Sequence, residues 1–403
     1  MTTLPEAAFE ISPTDASLRS PLTPPPTLDN GSNGQDKLTV SARHLQRHTL
    51  QPEFLAEYSL GDELGSGGFG FVVSATRKSD NKEVAVKFIF REKVPIHGWV
   101  KDPELGVIPM EIYVLRNVQH TNIIGFLNAF QDFKFFYLVM ELHGTPWSAS
   151  NPLLNKNNGN NTNTSMIEAM ANVTLNQHSS GTNSTSSSIS FQSTSSSSSS
   201  TSLSHSGSEG DLYIEPPKPS LLVRRTSCDL FECIEHHSKF SESQARTIFK
   251  QIVGCVDYLN SRGICHRDIK DENIVIDNDF KVKLIDFGSA VVIPKPQDKL
   301  FDRFYGTINY ASPEILKGEN YRAEAAEIWS LGILLYTILY GEVPFSDPVQ
   351  AVSGPYITPR VHSSPECQHL LNWMLTKCPE RRATIDDVVN HPWFSDANMS
   401  GST

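Results

Sequence analysis

From Trp147 to Thr226 the chain runs through 80 residues dominated by asparagine and serine, with six consecutive serines at 195–200. Only eight of these residues carry charge, and few are large and apolar. Such a stretch cannot bury enough surface to compensate for the entropy of ordering it. It is expected to be a disordered insert, so whatever folds must be assembled from the residues on either side. Residues 1–56 hold the run Pro21-Leu22-Thr23-Pro24-Pro25-Pro26 and no sustained apolar periodicity, and are expected to be a disordered tail. These two segments explain the low hydrophobic share of 38 % and charged share of 20 %. They also reduce the two or three domains that 403 residues would otherwise allow to one.

The flanks differ in texture. Within 57–146, Tyr58 to Leu60, Phe69 to Val73, Val84 to Phe90, Ile123 to Phe130 and Phe135 to Glu141 are β-branched and aromatic runs. Pro109 to Val118 reads as a helix, with Pro109 near its start and Glu111 and Leu115 sharing a face. Within 227–394, Leu230, Ile234, Ala245, Ile248, Phe249, Ile252, Val253, Val256 and Leu259 recur at helical spacing. Two short strands (274–276, 282–285) and further helices follow, and residues 395–403 form a short tail. The expected class is α+β: a small β-rich lobe, then a larger, mainly helical lobe.

Several classes are disfavoured. Six scattered cysteines with no C-x-x-C pair give neither a disulfide framework nor a zinc ribbon. Met1 to Ile11 lacks the basic start of a secretory signal. The longest apolar run, Ile328 to Tyr340, has 13 residues, too few for a bilayer, and is expected to be a core helix. A net charge of −11 argues against nucleic acid or an anionic membrane as partner. The expected location is the cytoplasm, with the nucleus as the alternative.

Leu64-Gly65-Ser66-Gly67-Gly68-Phe69-Gly70-Phe71-Val72 contains G-x-G-x-x-G. Glycines let a backbone approach phosphates and offer amides to them. A dinucleotide site needs a helix after the last glycine and an acidic residue about 20 positions on. Strand-forming residues follow here, which favours a hairpin over phosphates and removes an oxidoreductase reading. Val84-Ala85-Val86-Lys87 ends a buried run on a lysine. Glu111 is the carboxylate that could hold that ammonium against nucleotide phosphates. His266-Arg267-Asp268-Ile269-Lys270-Asp271-Glu272-Asn273 is followed 13 residues later by Asp286-Phe287-Gly288, and then by Gly306-Thr307 and Ser312-Pro313-Glu314.

In order and context these motifs resemble the eukaryotic protein kinases. The resemblance spans about Tyr58 to Phe394 apart from the insert, and implies the two-lobed protein kinase fold with ATP and Mg2+. It implies Asp268 as the group that orients the substrate hydroxyl, and Asn273 and Asp286 as magnesium ligands. Lys87 would clamp the α- and β-phosphates through Glu111. Lys270 is characteristic of the serine/threonine branch. ATP would lie under Leu64, Gly65, Ser66, Gly67, Gly68, Phe69, Gly70 and Val72. Adenine would sit between Val72 and Ala85 above and Val275 below, with Met140 as gatekeeper and Glu141 and Leu142 as hinge. Asp229 would bind ribose and, with Glu272, an arginine three residues before the acceptor; Thr307 would also face the substrate. His266, Phe287 and Leu115 resemble the regulatory hydrophobic stack. Glu314 and Arg382 resemble the ion pair of the large lobe, the alternative being two separate surface charges.

His266 to Ile276, Leu284 to Ala290 and Met140 to Gly144 are most similar to PAS-domain-containing serine/threonine kinases of the calmodulin-dependent group. With 56 residues before the kinase motifs no PAS domain is expected there, and with nine after Phe394 no calmodulin-binding helix is expected. A protein kinase acting on serine or threonine flanked by basic residues, in signalling or metabolic regulation, is therefore expected. The alternative is a pseudokinase scaffold that recruits partners through its low-complexity segments.

Three departures bear on mechanism. Ser289 to Gly306 contains no threonine, so the usual activating phosphothreonine is missing, and activity without activation-loop phosphorylation is expected. Asp302 either pairs with Arg267 or remains a solvated loop charge. Glu327 stands where most kinases carry aspartate. At the end of the insert, Arg224 precedes Ser227 by three residues, so Ser227 is a candidate phosphosite, unless the basic residues merely solubilise a linker.

Overall fold

A computed structural model of the protein describes residues 38–147, 225–237, 240–293 and 299–395. The chain begins with two short helices, α1 (Val40–Leu45) and α2 (Pro52–Glu57). Strands β1 (Tyr58–Ser66), β2 (Gly70–Arg77) and β3 (Lys82–Phe90) follow, then a hairpin of β4 (Trp99–Asp102) and β5 (Gly106–Pro109), and helix α3 (Met110–Asn117). Strands β6 (Phe126–Gln131) and β7 (Phe135–Glu141) complete a five-stranded antiparallel sheet of order β1-β2-β3-β7-β6. This is the β-rich lobe of the two-lobed α+β fold.

Both faces of this sheet are covered, and β3 shows how. Ala85 and Ile89 face an inner apolar cluster shared with α3, whereas Val84, Val86, Phe88 and Phe90 face an outer one. The outer cluster is largely aromatic, and left open it would be a large exposed apolar patch. Helices α1 and α2 close it. Phe54 is fully buried, edge-on to Phe130 and Tyr137 at 5.5 and 5.2 Å between ring centroids. Leu45 and Leu50 are buried beside it. Burying a phenylalanine side chain stabilises by about 1.5–3 kcal/mol.

The expectation of a disordered tail over 1–56 is therefore corrected for its last part. Residues 38–56 form a strap on the sheet, because the sheet's outer face needs an apolar cover; the rest of the expected tail lies outside the described residues. Of the expected insert, Trp147, Arg225 and Thr226 are described, and 148–224 lie outside the described residues. Trp147 is 5 % exposed and packs against the rings of His236 and His237, so the ordered body reaches past 146. Ser395 of the expected short tail is described and the remainder is not.

The helical lobe contains α4 (Leu230–His237), α5 (Glu242–Ser261), α6 (Pro313–Leu316), α7 (Ala323–Tyr340), α8 (Pro348–Ser353), α9 (Pro365–Met374) and α10 (Ile385–Val389). Between α5 and α6 run four short strands, β8 (Ile264–Cys265), β9 (Ile274–Ile276), β10 (Val282–Leu284) and β11 (Val291–Val292). They pair as β9 with β10 and β8 with β11. Helix α5 starts with a capping box in which Ser241 and Gln244 satisfy each other's backbone amides. Helix α7 ends where Gly341 takes φ +73°, a conformation open to glycine without strain. Its apolar 18-residue stretch is long enough to cross a membrane, but 78 % of it is buried inside the protein, as a core helix requires.

Candidate active site

Four local structures bring the chemistry-bearing residues to one cleft. The first is the glycine-rich turn between β1 and β2. Gly70 is indispensable, since a Cβ there would meet the Phe88 carbonyl oxygen at 2.0 Å. The Gly67 N–H donates to Gly70 O at 2.9 Å and closes the turn. Gly65, Gly67 and Gly68 have nothing within 4 Å of where a Cβ would stand, so their backbone faces open space that phosphate oxygens could fill. Leu64, Val72, Ala85, Met140 and Leu142 belong to one apolar cluster, with Ala85 paired to Met140 across β3 and β7. Val275 lies on β9 and pairs with Asp229 in an isolated bridge, so the expected floor and the expected ribose residue are adjacent. The Glu141 N–H is taken by Gly125 O at 2.9 Å, and its carboxylate accepts from Gly125 N and meets Lys283 at 2.8 Å.

The second is the lysine cluster. Lys87 on β3 donates to Glu111 Oε1 at 2.7 Å and to Asp286 Oδ1 at 2.9 Å. Lys87 and Glu111 are buried, while the Asp286 side chain keeps 43 % of its surface open. Burial works against the Lys87 ammonium, but the carboxylates of Asp286 and Glu111 outweigh it and hold its pKa above the ordinary lysine value. Burial likewise opposes the Asp286 carboxylate, and Lys87 overcomes it, lowering the pKa to about 2. Asp286 sits at φ +60°, and its carboxylate accepts from Gly288 N at 3.2 Å, which locks the turn.

The third is the loop after β8. Asp268 Oδ1 accepts from both the N–H and the hydroxyl of Thr307, each at 2.9 Å. Its Oδ2 accepts from Asn273 Nδ2 at 3.0 Å and lies 3.9 Å from Lys270 Nζ. Lys270 pairs with Glu272 at 2.6 Å. Fully buried His266 donates from Nε2 to Ile285 O at 2.9 Å, and its Nδ1 accepts from Asp268 N. Burial lowers its pKa, consistent with a neutral ring. His266 meets Phe287 edge-on at 4.7 Å, and Leu115 is buried in the same cluster as Phe287.

The fourth is the frame around this loop. Arg267, at φ +64°, donates its N–H to Glu327 Oε2 at 2.8 Å, so glutamate in place of the usual aspartate still reaches the loop backbone. Burial pushes the Glu327 carboxyl up to about 7. The Arg267 side chain donates to Ser289 O at 2.7 Å and lies over the rings of Phe301 and Tyr305. Asp302 is exposed and forms no pair with Arg267, so the pairing alternative is corrected: the guanidinium is already occupied. Tyr305 also bonds His97 in the turn before β4, at 3.2 Å. Far below, Arg382 grips Glu314 in two bonds of 2.7 and 2.8 Å.

Asp229 is more committed than the sequence suggests. One oxygen caps α4 by accepting from Glu232 N at 2.9 Å, and the other accepts from the Ser227 hydroxyl. The strap, the β4–β5 hairpin and the Tyr305–His97 contact were not legible in the motifs. The spacing of Leu45, Leu50 and Phe54, with Pro52 opening a helix, is the signal that could have exposed the strap.

The model of the "Protein kinase domain" family matches residues 58–188 and 212–394. The chain is 37 % identical over 352 residues to the PAS domain-containing serine/threonine-protein kinase of Mus musculus, an alignment covering 87 % of this chain and 19 % of that protein. It is 30 % identical over 337 residues to serine/threonine-protein kinase PSK1 of Saccharomyces cerevisiae, covering 82 % and 19 %. It is 28 % identical over 380 residues to serine/threonine-protein kinase pim-2 of Danio rerio, covering 90 % and 94 %. The chain thus spans about a fifth of the length of the first two relatives.

Proposed function

The chain belongs to the protein kinase family, and from that premise we propose that it transfers the γ-phosphate of ATP to serine or threonine hydroxyls of protein substrates. The observation that carries this reading is the Asp268 carboxylate. It is held by Thr307 and Asn273 with Lys270 alongside, and its charge and that of Asp286, the partner of Lys87, both act on Lys270. Phosphoryl transfer needs positioning and charge neutralisation more than covalent help. Asp268 receives and orients the substrate hydroxyl and takes up its proton. Lys270 stands beside that carboxylate to meet charge on the transferred group. Lys87, fixed by Glu111, holds the α- and β-phosphates, and the amides of the 65–70 turn cover them.

The family generally works with Mg2+. Asp286, ionised and partly open, and Asn273 supply hard oxygen donors for it. Two protein donors completed by phosphate oxygens are what magnesium usually accepts, rather than an all-protein cage. Held by Asp286 and Asn273, the ion would supply positive charge against the phosphates.

The segment before Thr307 is held without any phosphate. Arg267 grips Ser289 and stacks on Phe301 and Tyr305, Phe301 pairs with Tyr321, and Tyr305 meets His97. These contacts support activity independent of activation-loop phosphorylation.

Basic flanking residues are the preferred substrate context in this reading. The Glu272 side chain is 56 % exposed and shared with Lys270, and Asp229 pairs with Val275, its carboxylate bound to Glu232 N and the Ser227 hydroxyl. The exposed Glu272 carboxylate is the acidic group that supports an arginine guanidinium here. A positional-scanning peptide assay tests this: arginine three residues before the acceptor should raise the rate, and an array with no such preference refutes that part. Ser227 is a weaker candidate for autophosphorylation, because its hydroxyl is bound to Asp229. Mass spectrometry after incubation with ATP decides it.

A further inference from the structure

The glycine-rich turn is hung from a β1 that is irregular on both sides of Glu63. Its pairing with β2 shifts register between Leu60 and Glu63 and again between Glu63 and Gly65. Tyr58 and Leu60 face the outer aromatic cluster, as strand alternation requires. The first shift lets Glu63, paired with outer-facing Val73, take the outer face too. Leu64 then falls on the inner cluster beside Val72 by plain alternation, and the second shift sets Gly65 and Ser66 of the turn opposite Val72 and Phe71. Two bulges thus set which side chains roof the cleft.

Glu63 is an unusual residue to bury there, at 3 % exposure. Its Oε2 accepts the backbone N–H of Ser41, in the first turn of α1, at 2.6 Å. Its own carbonyl accepts the N–H of Arg225 at 3.0 Å, where the chain returns from the long insertion. Arg225 is in turn bonded to Asp62 and Glu83. Two segments outside the catalytic motifs therefore meet on Glu63, two residues before the glycine-rich turn opens at Gly65. On the strap side, His44 stacks against Phe71, the residue just after Gly70.

We infer that Glu63 is a positioning residue, whose carboxylate, fixed by the strap at Ser41, holds the double bulge that places Leu64 and the glycine-rich turn over the nucleotide. The strap is then part of the nucleotide site and not only a cover. This rests on the proposed function for its consequence in catalysis, but its direct effect is on nucleotide affinity.

The test uses the full-length chain and a fluorescent ATP analogue, with KM for ATP and kcat on a peptide measured in parallel. Glu63→Ala should weaken analogue binding and raise KM about three- to tenfold, with kcat at saturating ATP changed less than about twofold, the scale of one lost buried hydrogen bond. Glu63→Gln keeps an oxygen for the Ser41 amide and should stay within about twofold of wild type. Leu45→Ala, which loosens α1, should act in the same direction, and the double variant Glu63→Ala with Leu45→Ala should be no worse than the stronger single. If Glu63→Ala does not fold, Glu63→Met, of similar volume but without the acceptor, takes its place. A lowered Tm with unchanged analogue affinity would overturn the inference, as would a Gln variant as weak as Ala or multiplicative effects of the two sites. A wild-type protein that binds the analogue but transfers no phosphate would refute the proposed function, while the binding comparison would still decide this one.

Discussion

Two buried ion clusters among the described residues, Glu314–Arg382 and Lys87–Glu111–Asp286, are alike in their contacts and differ in what they leave open. Glu314 and Arg382 are sealed: their side chains are 5 % and 0 % exposed, and Arg382 also donates to the carbonyls of Thr376 and Ala325. The Lys87–Glu111–Asp286 cluster is sealed at Glu111 and open at Asp286, whose side chain is 43 % exposed. A closed pair with its polar atoms satisfied can only brace. A cluster with one open, ionised carboxylate and an ammonium beside it keeps charge available for a ligand. Burial alone does not separate structure from function; the direction in which the last charge faces does.

That distinction breaks if the two clusters respond alike to mutation. Lys87→Met should reduce kcat/KM by about 10²–10³-fold, the scale of losing one preorganised electrostatic contact, with a smaller fall in Tm than Arg382→Met, because burial already pushes the Glu111 carboxyl up and it can take a proton when its partner is lost. Arg382→Met should act mainly on stability. It strands the buried Glu314 carboxylate, at a cost of about 3–5 kcal/mol, so Tm should fall by roughly 10 °C. Activity of the remaining folded protein should change far less. Thermal melts and steady-state rates on both variants check the pair, and equal Tm losses would end the comparison.

Glu327 sharpens it, being sealed like Glu314 but, among the described residues, without a cation of its own in hydrogen-bond reach. Its carboxyl is pushed up to about 7 from an ordinary 4.5. The folded chain therefore binds more protons than the unfolded chain between these values, and stability from this group is present at low pH and lost as pH rises through about 7. The Tm difference between wild type and Glu327→Gln should shift against wild type from pH 5 to pH 8; a pH-independent difference refutes the shifted carboxyl. The smallest effect expected concerns the activation segment. Phosphatase-treated protein should keep its activity within about twofold, whereas dead enzyme would show that Arg267, Tyr305 and His97 do not suffice to hold the segment.

The catalytic cleft was legible because its chemistry is local in sequence. His266 to Asn273 and Asp286 to Gly288 each fix a loop whose function needs those residue types at that spacing. The lysine partner was legible because Glu111 stands at the start of the only helix signal between Lys87 and the next strands. The strap was not, because its covering contacts are long-range and depend on a sheet face that alternation hides: every residue from Val84 to Phe90 is buried, so β3 gives no sign of having two sides to cover. Asp302 failed for a related reason, since charge matching in sequence cannot show that Arg267 is already held by the Ser289 carbonyl and two rings.

The central claim is that Asp268 works with the Lys87–Asp286 pair to move phosphate onto a hydroxyl. The most direct measurement is transfer of labelled γ-phosphate from ATP to a degenerate serine/threonine peptide library by wild type and by Asp268→Asn, with nucleotide binding followed on both. Label should appear on serine or threonine with wild type, and Asp268→Asn should lower the rate at least about 10²-fold while nucleotide affinity is kept. Nucleotide binding without transfer in wild type, or equal transfer by both proteins, would contradict it.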